Sequence, residues 1–306
     1  MKAPVILIPL LMSFSLQSCG ELFPSETTVP QTQEIQLPTV PTTGPATVEA
    51  TIPLRTGWVE EDGNRYYYDD NGIPTVGWME MDGKTYYFYE DGTMATGEVV
   101  IEKSTYHFTS QGWRIVLVNP WNYVPADYQL DLVNLGSEYA AGGGQVQRCC
   151  YEDLVAMITD CNKACPQVKV VSAYRSHDLQ TRNYNNRVQL YVNQGYSLEE
   201  AKRQTGMVIA VPGTSEHELG LAVDIIDTRI WDLVEEQANL PAQQWLMEHS
   251  WEYGFILRYP KDKTDKTGII YEPWHYRYVG KELAAELHSL DLTLEEYMES
   301  LTDAVG

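Results

Sequence analysis

The sequence predicts an α+β fold preceded by a short solenoid of β-hairpin repeats. Three observations carry this. From residue 117 onward, helical and strand patterns mix without regular strand–helix alternation. Residues 55–116 repeat with a period of 20: Gly57, Gly77 and Gly97 are evenly spaced, as are Gly72, Gly92 and Gly112. Residues 20–54 are rich in Thr, Pro, Glu, Gln and Val and show no periodicity, which predicts an extended, disordered tether.

At the N-terminus, Lys2 precedes an apolar run from Ala3 to Met12. The run is too short to span a bilayer and fits the hydrophobic region of a secretory signal. Leu16-Gln17-Ser18-Cys19 resembles a bacterial lipobox, which predicts a signal over residues 1–19 and a lipid on Cys19. Acyl chains there would hold the protein to a membrane, at about 0.8 kcal/mol per buried methylene. The chain has 21 Lys and Arg against 43 Asp and Glu, a formal charge of −22. That balance argues against nucleic acid as a partner, because phosphate binding needs clustered cations.

Within the repeats, Asp62-Gly63 matches Asp82-Gly83, and Tyr66-Tyr67-Tyr68 matches Tyr86-Tyr87-Phe88 and Tyr106-His107-Phe108. Each unit reads as a strand, a D-G turn with φ > 0, an aromatic strand and a second glycine turn. One hairpin cannot bury its aromatic face alone, so neighbours must stack. Trp58, Tyr67, Trp78 and Tyr87 are candidate ligand contacts; equally, they serve only to hold the hairpins together. The third unit lacks both the Trp (Glu98 stands there) and the D-G turn, which suits a capping unit.

In residues 117–306, Leu154, Val155 and Ile158 give Cys150–Lys163 helical spacing, and Lys169–Ala173 is a β-branched strand. Helices follow over 176–194 and 197–205, the second opened by a Ser197/Glu200 capping box. Leu221–Ile226 reads as a buried strand. Residues 242–253 read as a helix ended by Gly254, 274–279 as a strand and 281–290 as a helix. Cys149, Cys150, Cys161 and Cys165 lie in a chain read as exported, so at least one disulfide is expected across the intervening helix.

Two short stretches carry the chemistry: S-E-H-E-L-G-L-A-V-D, residues 215–224, and E-P-W-H, residues 272–275. His217, Asp224 and His275 suit a zinc ion and leave one coordination position for water. Asp224 on a buried strand would be costly without a cation. Glu272, set by Pro273 against His275, suits the base that takes a proton from that water. Arg175 follows a strand and suits a carboxylate or a developing oxyanion; its plainer role is an ion pair with one of many acidic groups. Ser215 could instead cap the turn that follows it.

S-x-H-x2-G-x-A-x-D with E-x-W-H resembles the zinc D-alanyl-D-alanine carboxypeptidases of the VanY type, over roughly residues 118–290. The resemblance implies a small antiparallel sheet with flanking helices, shared with hedgehog-type domains. It implies one zinc per catalytic domain, held by His217, Asp224 and His275, with Glu272 as general base and Arg175 as oxyanion or substrate contact. Gln180 and Ser215 match positions lining the pocket for a terminal carboxylate. The implied substrate is the peptidoglycan stem peptide, losing a C-terminal D-alanine; an L,D-carboxypeptidase on the tetrapeptide stem shares these motifs, and an inactive wall-binding protein is the rival of another class. The hairpin units resemble choline- and glucan-binding cell-wall repeats, implying wall polysaccharide, or choline, as ligand. Arg65 and Thr85 stand where a choline-binding unit commonly has a further Trp. Together these features place the chain at the outer face of the cell membrane, lipid-anchored and wall-associated.

Overall fold

The structure is a computed structural model that describes residues 54–165 and 167–303. The expected signal, the lipid-bearing Cys19 and nearly all of the tether lie outside the described residues. No helix among the described residues is long and apolar enough to cross a membrane.

Three hairpins open the described chain: β1 (Gly57–Glu61) with β2 (Asn64–Tyr68), β3 (Gly77–Met81) with β4 (Lys84–Phe88), and β5 (Gly97–Ile101) with β6 (Ser104–Phe108). Asp62-Gly63 and Asp82-Gly83 both take positive φ at their two central residues, the requirement of a tight hairpin whose twist matches its strands. The third turn keeps that geometry without glycine, on Glu102 and Lys103 at φ 48° and 73°. Each Trp packs against the aromatic strand of the next unit: Trp58 on Tyr86 and Phe88, Trp78 on Tyr106 and Phe108. Strand β7 (Arg114–Ile115) closes the array on β6.

The remaining chain forms a hairpin, β8 (Leu132–Leu135) with β9 (Gly144–Gln147), then α1 (Arg148–Ala164), β10 (Val168–Ser172), α2 (His177–Asn193) and α3 (Leu198–Gly206). There follow β11 (Ala222–Asp227), α4 (Pro241–His249), β12 (Phe255–Leu257), the short α5 (Thr264–Thr267), β13 (His275–Tyr278), α6 (Lys281–Leu290) and α7 (Leu294–Asp303). The central sheet has the order β10-β11-β13-β12 and is antiparallel throughout. One face packs on α1 and α4: Leu154, Met157, Ile158 and Leu246 meet Val170, Val223, Ile225 and Tyr276. Ser197 caps α3 by accepting from the Glu200 amide, while the Glu200 carboxylate turns to Arg203, so only half of the expected box forms.

The repeats pack into the same compact unit, Pro53–Gly306. Ile115 joins a second apolar cluster with Val279, Leu283, Leu287, Leu294 and Tyr297. Gly83, in the second hairpin turn, lies against Cys149.

The expected disulfide is corrected: among the described residues, Cys149, Cys150, Cys161 and Cys165 are free. Three of them lie on α1 and the fourth is its C-terminal cap. Eleven residues of helix separate Cys150 from Cys161 by roughly 16 Å, at about 1.5 Å per residue. A disulfide needs Cα atoms within about 7 Å, so the helix that links the two pairs holds them apart.

Candidate metal centre

The antiparallel register sets Asp224 of β11 opposite His275 of β13, and opposite Ser172 of β10 on its other side. Strand alternation sends Val223, Ile225 and Tyr276 into the apolar core, and Asp224, His275 and Arg277 to the other face. His217 arrives from a 3-10 turn, Glu216–Leu219, ended by Gly220 at φ 70°. A Cβ at Gly220 would sit 2.9 Å from Leu132 and 3.3 Å from the Gln147 backbone nitrogen, so the turn requires glycine. The His217 carbonyl accepts from the Arg175 amide at 3.0 Å, and its Nδ1 lies 2.8 Å from the Ala173 carbonyl. The exit of β10 thereby holds the ring with Nε2 free.

His217 Nε2 is 3.3 Å from Asp224 Oδ2, and His275 Nδ1 is 3.2 Å from Asp224 Oδ1. One donor atom from each of the three buried residues lies within 4.8 Å of the others. Asp224 Oδ1 is buried without a hydrogen-bond partner among the described residues. Burial pushes the Asp224 carboxyl up, and the two imidazoles overcome it and hold it well below the usual carboxylate range. Burial, then the Arg175 charge, push His217 down. Burial also opposes a charge on His275, but Asp224 and Glu216 prevail and raise it to about 9. Two imidazoles around a carboxylate with an orphaned buried oxygen form the donor set that zinc accepts.

Glu272 precedes β13, with one carboxylate oxygen 3.7 Å from His275 Nδ1. Burial pushes its carboxyl up to about 8. Arg175 Nη1 donates to Gln180 Oε1 at 2.7 Å and Nη2 to Ser172 Oγ at 3.0 Å; the same Nη2 is 3.7 Å from Asp224 Oδ2. Arg175 thus lies at the centre, where the acidic group it faces is Asp224. Gln180 is fully buried, and its amide nitrogen donates to the Ala210 carbonyl at 2.6 Å. Both ends of that side chain are engaged, so it holds Arg175 from behind. Ser215 is buried beside the 3-10 turn and does not cap it with its side chain.

Behind the centre lies a buried charge network that the sequence reading left unassigned. Glu216 Oε1 accepts from Arg258 Nε and from Arg277 Nη1, both at 2.8 Å. Arg258 also donates to both carboxylate oxygens of Glu295, at 2.8 and 2.6 Å, and Asn119 Nδ2 donates to Glu295 at 3.0 Å. Arg277 Nη2 donates to the Val116 carbonyl, in the segment that leaves the repeats. Burial pushes Glu216 up, and Arg258 and Arg277 overcome it and hold it well below the usual range. Arg277 was within reach of the sequence: two residues after His275 on a strand, it must share its face.

In the repeats, Trp58 meets Tyr67 edge-on at 5.3 Å between ring centroids, and Trp78 meets Tyr87 at 5.1 Å. The Arg65 guanidinium lies 4.7 Å from the centroid of Trp58. Arg114 lies 5.8 Å from Trp78 and 4.8 Å from Tyr106. A cation of the chain itself therefore sits over each Trp.

Comparison with known proteins agrees with this geometry. The VanY family, D-alanyl-D-alanine carboxypeptidase, matches residues 144–281. A choline-binding repeat matches residues 75–113 and a cell wall binding repeat residues 56–73. A D-alanyl-D-alanine carboxypeptidase of Enterococcus faecalis is 38% identical over 192 residues, covering 62% of this chain and 68% of that protein. VanYB solved with D-alanine-D-alanine is 38% identical at a TM-score of 0.54, covering 60% of this chain and 96% of its own. A VanY D,D-pentapeptidase from a VanB-type cassette, solved with Zn(II), is 39% identical at 0.51, covering 60% and 97%. The LdcB LD-carboxypeptidase is 35% identical at 0.53, covering 60% and 84%. The chain belongs to the VanY D-alanyl-D-alanine carboxypeptidase family.

Proposed function

We propose that this chain is a zinc-dependent D,D-carboxypeptidase that removes the C-terminal D-alanine from peptidoglycan stem peptides at the cell wall. The observation that carries this reading is the convergence of His217, Asp224 and His275 with the carboxyl of Glu272 beside them. His217 Nε2, Asp224 and His275 Nδ1 would hold the metal. A zinc ion bound there supplies Lewis acidity, polarising a carbonyl and making water a better nucleophile.

The side chains do the rest. Glu272 makes no side-chain hydrogen bond among the described residues, so its carboxylate is free to take a proton from water and return it to the departing amine. Arg175 spends donors on Gln180 and Ser172 and keeps others for the carbonyl oxygen or the terminal carboxylate of the substrate. Ser215, beside His217, is our assignment for a second substrate contact; Gln180 acts on substrate only through Arg175. A free Glu272 argues against an inactive wall-binding protein.

The repeats associate the chain with the wall. Arg65 and Arg114 over the Trp rings favour wall polysaccharide as ligand, reached through Trp58, Tyr67, Trp78 and Tyr87, over choline, whose ammonium would need those ring faces. Export and a lipid on Cys19 are supported by the N-terminal sequence. The likeness to LdcB favours a second reading, cleavage of the tetrapeptide stem as an L,D-carboxypeptidase. Mass spectrometry of defined pentapeptide and tetrapeptide stems separates the two. We expect D-alanine release from the pentapeptide, abolished by a chelator. Cleavage of the tetrapeptide alone would establish the second reading, and cleavage of neither would end both.

A further inference from the structure

We infer that Glu216 is a positioning residue that keeps the proton of His275 on Nε2, so that Nδ1 is presented to the metal. This rests on the proposed zinc reading. His275 turns Nδ1 toward Asp224 Oδ1, at 3.2 Å, and toward Glu272 Oε2, at 3.7 Å. The opposite nitrogen, Nε2, is buried and has no hydrogen-bond partner among the described residues. It faces Glu216 Oε2 at 3.6 Å, and that oxygen is likewise buried and unpartnered. Two orphaned polar atoms pointing at each other in a dry interior are one hydrogen bond a few tenths of an ångström from closing. A neutral imidazole that offers Nδ1 to a metal carries its proton on Nε2, which is the donor this acceptor lacks.

The other carboxylate oxygen shows why Glu216 is suited to the task. Arg258 Nε and Arg277 Nη1 pin Oε1 from two directions, so the carboxylate cannot turn away from the ring. Glu216 also directly precedes His217, so one 3-10 turn supplies a metal ligand and the support for the ligand across the site. The two histidines are thus held differently: His217 by the neutral carbonyl of Ala173, His275 by a carboxylate. A carboxylate partner makes an imidazole a stronger donor to a metal than a carbonyl does.

The test uses the full chain and competition with a zinc-binding dye. Glu216→Gln keeps the volume and removes the charge; zinc affinity is expected to fall by about 10-fold to 100-fold, the usual effect of losing such a partner. Glu295→Gln disturbs the same network away from His275 and is expected to leave zinc affinity within about two-fold. Equal losses in both variants would mean that the network acts only through the fold, and unchanged affinity in Glu216→Gln would mean that Glu216 does not position His275; either overturns the inference. An arm without any variant covers a failure to fold: long-range proton–nitrogen spectra of the zinc-loaded wild-type chain. A proton on His275 Nε2 is expected, and a metal on Nε2 would overturn the inference. Wild-type protein that binds no zinc would instead overturn the zinc reading, and this one with it.

Discussion

Replacing Arg258 with methionine tests whether the charge network behind the centre supports the fold. Arg258 is fully buried and donates three charge-assisted hydrogen bonds, one to Glu216 at 2.8 Å and two to Glu295 at 2.8 and 2.6 Å. Methionine keeps the apolar stem and removes the guanidinium. Glu216 retains Arg277 as a partner, and Glu295 retains only the Asn119 amide among the described residues. At about 1.5 kcal/mol per charged bond, the low end of the range, the loss is about 4.5 kcal/mol. Breaking a buried ion pair from one side costs about 3–5 kcal/mol, which agrees. Urea unfolding of the metal-free full chain, followed by near-ultraviolet circular dichroism, reads the change directly. Adding Glu295→Met to Arg258→Met should recover part of it, because the stranded carboxylate is then gone. A loss below about 1 kcal/mol for Arg258→Met, or a double variant as unstable as the sum of the singles, would refute the reasoning.

Three further outcomes are expected. Gly83→Ala places a Cβ 2.2 Å from the Cys149 Cβ at φ 71°, whereas Gly63→Ala meets nothing within 4 Å at φ 79°; the first should therefore lower the thermal midpoint more, by about 1–3 kcal/mol of overpacking, and equal effects would contradict docking of the second hairpin on α1. Zinc uptake at pH 7 should release protons, because His275 in the metal-free protein is raised to about 9 and so protonated, while a ligand must be neutral. Affinity should rise with pH toward 9 and fall below it, and calorimetry in buffers of different ionisation enthalpy showing no release would contradict this. Arg175→Lys cannot serve Gln180 and Ser172 with one planar fork, so kcat/KM for a stem pentapeptide should fall by about 10²–10³ with zinc affinity unchanged.

The candidate site was legible where chemistry is local. His217 and Asp224 lie in one motif and Glu272 and His275 in another, and the sheet register joins the two. The pairing within the network that supports them was not legible, because its members are scattered. Glu216, Arg258, Arg277 and Glu295 lie on a 3-10 turn, two strand regions and the last helix, and none announces its partner. The motif placed Gln180 beside Arg175, but the sequence did not announce that its carbonyl oxygen would accept from the Arg175 guanidinium. The cysteine reading failed because compartment outweighed geometry, although the helical spacing of Leu154 and Ile158 already separated the two pairs. Helix α7 went unread despite a clear signal. Thr293 and Glu296 form a complete capping box, at 3.2 and 2.9 Å, and Leu294, Tyr297, Met298 and Leu301 form the apolar stripe. In the repeats the period announced the hairpins, but not that Arg65 and Arg114 would cover the Trp rings.

X-ray absorption at the zinc edge of the full chain tests the central claim most directly. The expected first sphere holds two imidazole nitrogens and carboxylate or water oxygen, without sulfur, and the imidazole signal should drop in a His275→Ala variant. Sulfur ligands drawn from Cys149, Cys150, Cys161 or Cys165, or a sphere unchanged by that substitution, would contradict it.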